Sequence, residues 1–187
     1  VFGDAGRGLI APLKLLGTNE PSDYTITSPN SWYGAKCVDL RPQEVVGVSG
    51  MVLATSDREI EFRIEDKTPF DRVLAFHHAR APLLEVSDSL DAGIWCPEPS
   101  DELTSIQLDS AVCRVVLKAR VTDTAYAHPC FYGFSLDRTQ NGVRYHSVGI
   151  NGNTFSAFVR NPQIFEQAAW LDPDLVIVSL GTNDCSG

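Results

Sequence analysis

Two short loops near the C-terminal end carry the residue types best suited to chemistry: Ile150-Asn-Gly-Asn-Thr154 and Gly181-Thr-Asn-Asp184. A glycine at a strand-to-helix turn lets its backbone N–H point into a cleft with no side chain in the way. An asparagine offers an uncharged NH₂ donor that needs no proton transfer. The Gly152 N–H and the Asn183 amide, aimed at one point, would form an oxyanion hole for acyl transfer. Thr154 and Asp184 are weaker substrate-binding candidates beside them. The plainer alternative is that Asn183, Asp184 and Thr154 cap a helix or turn, and that Gly152 is an ordinary turn glycine.

Positioning those loops requires an α/β unit over residues 145–187. Tyr145 to Ile150 reads as a short strand, and Thr154 to Arg160 and Pro162 to Leu171 read as helices. Asn161 is a candidate N-cap, with Pro162 at the first helical position. Asp172-Pro173 ends the second helix. Leu175 to Leu180 is then apolar on both faces, the pattern of a strand inside a parallel sheet. Ligands of such sheets bind beyond the carboxyl ends of the strands, where both loops would fall.

The preceding stretch, residues 20–144, has a different texture. Glu59 to Glu65 alternates, with Ile60, Phe62 and Ile64 on one face and charges on the other. Further strands are expected within Val45 to Ser56, Asp71 to Phe76, Leu83 to Val86, Ser105 to Leu108, Val112 to Val121 and Phe131 to Leu136. Turn residues separate them, and many short strands imply a sandwich or jelly roll. The organisation expected is therefore residues 1–19 and 145–187 as parts of one α/β domain, with 20–144 as an inserted β-sandwich.

The motifs G-I-N-G-N-T (149–154) and V-S-L-G-T-N-D (178–184), in that order, resemble the second and third signature blocks of the SGNH/GDSL-type hydrolases. Phe2 to Leu9 and Leu16 to Tyr24 are similar to a segment of the GDSL-like acylhydrolases that carry a β insertion, among them peptidoglycan O-acetylesterase-like proteins. The resemblance implies a flavodoxin-like three-layer parallel sheet, with Gly152 and Asn183 as oxyanion donors. It also implies a carbohydrate-binding-like β domain and an ester substrate on a bacterial polysaccharide. The family's G-D-S nucleophile and D-x-x-H base have no match. Gly3-Asp-Ala5 has Ala where the Ser would stand, and no Asp lies three residues before His77, His78, His128 or His146. The chain is thus expected to be a fragment of a serine ester hydrolase, inactive by itself, from a periplasmic or secreted parent. A glycan-binding module without activity is one alternative, and a lipase- or thioesterase-like acylhydrolase the other.

Composition narrows the partners. The 187-residue chain has a formal charge of −9, with 43% hydrophobic and 21% charged residues. That balance suits a folded globular protein and argues against nucleic acid or anionic membranes as partners. No apolar run approaches the ~20 residues of a membrane span. Five cysteines at irregular spacing suggest small buried residues, with a Cys96–Cys130 bridge also compatible. No metal or organic cofactor is expected. His77 and His78 are expected on opposite faces of a strand, one buried and one solvated. His128 and His146 read as structural. Trp32, Tyr33, Trp95 and Phe131 are sugar-stacking candidates, for which a core role is favoured.

Overall fold

A computed structural model describes residues 5–12, 23–78, 83–88, 94–95, 102–121 and 128–186, with the backbone alone for 83–88, 94–95 and 186. The described strands are β1 (Gly6–Ile10), β2 (Tyr24–Thr27), β3 (Tyr33–Lys36), β4 (Met51–Ala54), β5 (Glu59–His77), β6 (Leu83–Asp88), β7 (Ile94–Trp95), β8 (Leu103–Arg120) and β9 (Cys130–Asp137). They form one sheet in the order β3-β4-β9-β5-β8-β6-β7, with β1 on β9 and β2 on β5. Every ladder among them is antiparallel.

Two long strands curl this sheet. β5 runs 19 residues and β8 runs 18. The first part of β5 pairs with β2 (Arg63 opposite Thr27), and its last part pairs with β9 (Val73 opposite Leu136). Between them the β5–β8 register shifts twice, around Phe70. Pro69 sits at that irregularity, where a ladder hydrogen bond is already lost. The expected separate strands over 59–65 and 71–76 are therefore one bent strand.

Alternation along β5 follows the sequence. Ile60, Phe62 and Ile64 are buried, and Glu59, Arg63 and Glu65 are exposed. In β9 the alternation is reset. Phe76 pairs with Gly133 while His77 pairs with Phe131, so one extra residue is accommodated on β9. Gly133 takes φ +150°, and a Cβ there would lie 2.9 Å from the Ile10 carbonyl. This bulge lets Phe131 and Phe134 face the same core. On that inner face they join Phe62, Phe70 and Leu117. Trp32 stacks on Phe62 with centroids 5.0 Å apart.

The opposite face carries a second core, including Val48, Met51, Phe76, Tyr132, Ile150 and Ile164. It is covered by α1 (Phe155–Val159) and α2 (Gln163–Ala169). Buried amides fasten these helices down. Gln167 Oε1 accepts from Val48 N–H at 2.8 Å, and Asn161 Nδ2 donates to the Cys37 carbonyl at 3.2 Å. Asn161 thus serves as an anchor, while Pro162 holds the cap position of α2 without a side-chain bond.

The expectation of a flavodoxin-like α/β fold is corrected by this architecture. Residues 145–150 and 175–180 form no strand, and no parallel pairing exists among the described residues. Leu175, Val176, Ile177 and Val178 are 63–77% exposed. Their apolar pattern fits an interior strand, but a pattern supplies no neighbour to pair with. The expected sandwich or jelly roll is likewise a single curled sheet, because β5 and β8 continue through the bend instead of breaking into two layers.

Candidate functional site

Residues 150–155 and 181–184 meet above α1. Asn153 turns back, its N–H donating to the Ile150 carbonyl at 3.1 Å. Its buried side-chain oxygen accepts from Thr154 N–H at 3.0 Å and from Cys37 Sγ at 3.5 Å. Thr154 is the N-cap of α1, accepting from Ala157 N–H at 3.1 Å. The second loop docks through two side chains. Asn183 Nδ2 donates to the Asn153 carbonyl at 2.9 Å, and the Asp184 carboxylate accepts from Phe155 N–H at 3.0 and 3.2 Å.

The four residues singled out by sequence, Gly152, Thr154, Asn183 and Asp184, therefore converge. Gly152 is exposed at φ +79°, with nothing within 4 Å of where a Cβ would stand. Asn183 and Asp184 are exposed as well, and Phe155, whose N–H meets Asp184, is 50% exposed. The cluster presents neutral donors and acceptors, one carboxylate and an open aromatic ring. Phe155 had no motif to mark it, only its place after the Thr154 cap.

The histidines do other work. His77 is buried, its Nδ1 donating to the His78 carbonyl (3.1 Å) while Nε2 accepts a hydrogen bond from the Thr104 hydroxyl (2.7 Å). Burial lowers its pKa. Asp71 accepts from Thr139 N–H at 2.8 Å. His146 Nδ1 accepts from Leu9 N–H at 3.1 Å, so its proton sits on Nε2. Burial lowers its pKa too, opposed by Asp137. His128 lies edge-on to Tyr33. Neither His77 nor Nδ1 of His146 meets a serine hydroxyl.

Among the other candidates, Trp32 and Phe131 belong to the inner core. Tyr33 is half-buried, with its hydroxyl donating to Glu44 at 3.4 Å. The Trp95 side chain and Cys96 lie outside the described residues, as do Gly3, Asp4 and residues 13–22. Cys130 is a buried free thiol whose pKa burial, reinforced by Glu44, pushes up to about 12. No group of three or more His, Cys, Asp or Glu that could hold a metal occurs among the described residues. No helix among them is long and apolar enough to cross a membrane.

No family model matches the chain. No curated protein matches it either. Two kinds of solved structure resemble it in part. A family 61 carbohydrate-binding module, solved with β-1,4-galactotriose, has 14% identity and a TM-score of 0.35, covering 69% of this chain and 99% of its own. A family 89 glycoside hydrolase from Clostridium perfringens has 10% identity and a TM-score of 0.39, covering 80% of this chain and 18% of its own. Likenesses this partial assign neither ligand nor activity. The chain's fold is a curled antiparallel sheet, without the parallel α/β sheet that the SGNH/GDSL resemblance implied. The expected SGNH/GDSL membership, and the carboxylic ester hydrolase activity read from it, are corrected on that fold.

Proposed function

We propose that this chain binds a neutral glycan at the paired loops 150–155 and 181–184. The observation that carries the reading is the docking of the two loops, Asn183 on the Asn153 carbonyl and Asp184 on the N–H of half-exposed Phe155. A sugar offers hydroxyls and an apolar C–H face, and the cluster matches both. The Gly152 N–H and the Asp184 carboxylate serve the hydroxyls. The Phe155 ring serves the apolar face. Nothing in the cluster needs a nucleophile or a base for this task.

The test is calorimetric titration with soluble neutral oligosaccharides. Binding by the parent chain is expected, with Asn183→Ala and Phe155→Ala each weakening it about tenfold, near 1.4 kcal/mol. No binding to any member of a broad neutral panel would sink the reading. Binding unaffected by both substitutions would remove it from these loops.

A further inference from the structure

Two left-handed residues bound the segment between α2 and the second loop: Asp172 at φ +47° and Gly181 at φ +120°. Between them Leu175, Val176, Ile177 and Val178 all lie exposed. The backbone of 175–180 forms neither helix nor strand and hydrogen-bonds to no other described residue. The segment therefore shows solvent a row of apolar side chains together with free N–H and C=O groups. Scattered apolar side chains alone are ordinary on a surface. The two features together make an unpaired strand, since β-branched residues suit a pleated ladder and the ladder uses the free backbone groups. The apolar surface continues beyond the segment. It begins just past α2 and is joined to the start of α1 by Asp184, and those helices expose Phe165 and Val159.

Charge restricts what can cover it. No residue from Leu175 to Asn183 is charged, while Asp172, Asp174 and Asp184 flank the segment on a chain of net charge −9. A covering strand must keep its own carboxylates away from those three, and the same segment of a second copy does so. Identical antiparallel strands pair about a two-fold axis, so one residue faces itself. With Ile177 on the axis, Val176 faces Val178, Leu175 faces Ser179 and Asp174 faces Leu180, so no aspartate meets another. Moving the axis to Val178 sets Asp172 opposite Asp184, a like-charge pair that destabilises a ladder. Moving it to Val176 carries Asp174 deeper into the partner's apolar row, opposite Val178.

We propose that residues 175–180 pair antiparallel with the same segment of a second copy of this chain, centred on Ile177. A contact of this length is smaller than the ~1,200 Å² of stable interfaces, so the association is reversible and micromolar. It stands independently of the glycan-binding reading.

The experiment follows sedimentation of the full chain from about 5 to about 500 µM, with amide exchange measured at both ends of that range. The sedimenting mass is expected to rise toward twice that of one chain, and the 176–180 amides to slow with it. Ile177→Lys and Ile177→Glu each set like charges opposite one another across the axis and should remain single chains. Their equimolar mixture should associate at least about tenfold more tightly than either alone. Leu40→Lys, an exposed apolar position elsewhere, should associate as the parent does. Unchanged exchange along β5 checks that each variant is folded. A parent chain that stays single throughout overturns the pairing, as does a doubled mass without protection of 176–180. Both Ile177 variants associating undiminished, or their mixture failing to associate, overturns it too. Amides already protected in the single chain overturn it in favour of a partner within the chain. Protection that appears only with phosphatidylcholine vesicles overturns it in favour of a lipid surface.

Discussion

At the scale of single residues, Asn183 and Asp184 hold one loop on the start of α1. Asp184 does cap the first N–H of α1, and Asn183 does hold a neighbouring carbonyl. Those bonds dock the second loop on the first. Asp137 is a second kind of residue, one no motif announces. It is fully buried, taking Arg72 Nη2 at 2.9 Å, Arg144 Nε at 3.0 Å and the Ser135 hydroxyl at 2.7 Å. Removing one partner of such a buried set leaves unmatched charge. Asp137→Ala should therefore cost about 3–5 kcal/mol in urea denaturation. A cost under about 1 kcal/mol, the range of exposed pairs, would show that the set is solvated.

At the scale of elements, the bulge at Gly133 decides which side chains of β9 reach the inner core. Gly133→Ala must hold a left-handed φ and place its Cβ against the Ile10 carbonyl. A loss of about 1–3 kcal/mol is expected, with amide exchange quickened along β1 and β9; an unchanged exchange pattern there would count against the bulge's role. The helices depend on buried amides more than on their length. At five and seven residues, α1 and α2 are too short to stand alone. Gln167→Ala removes the acceptor for Val48 N–H and should cost about 1–3 kcal/mol. Exchange of the α2 amides, read by mass spectrometry, should rise with it.

At the scale of the whole molecule, one sheet sorts its apolar residues into an inner core and a helix-covered outer core. Two histidines tie parts of this arrangement to their neutral state. His77 bridges Thr104 and the His78 carbonyl, and His146 supports β1 through Leu9 N–H. Both have folded pKa values below the ordinary value of about 6.5. The unfolded chain then binds protons before the folded one does. Stability is fully present above pH ~6.5 and falls as pH drops through that value toward the folded pKa values. The urea midpoint should be lower at pH 5.5 than at pH 7.5, and His146→Phe should flatten part of the profile. A midpoint independent of pH over that window would contradict the neutral-histidine geometry.

Local patterns in the sequence determined the faces and the Thr154 cap. Period-two alternation placed Ile60, Phe62 and Ile64 inside, and Thr154 capped α1, because both depend on near neighbours along the chain. What the tertiary structure alone decided is pairing. Leu175–Val178 has the composition of an interior strand, yet lies exposed, since composition does not specify which edge a strand joins. Residues 59–77 read as separate strands but form one, because β2, β8 and β9 supply ladders on either side of the Pro69 bend. Trp170 and Phe76, and Gln163 and Glu102, are far apart in sequence and meet only when α2 packs across the sheet. Hydrogen-bonded edges and packed faces are long-range choices, and they moved this chain from a parallel α/β expectation to a curled antiparallel sheet.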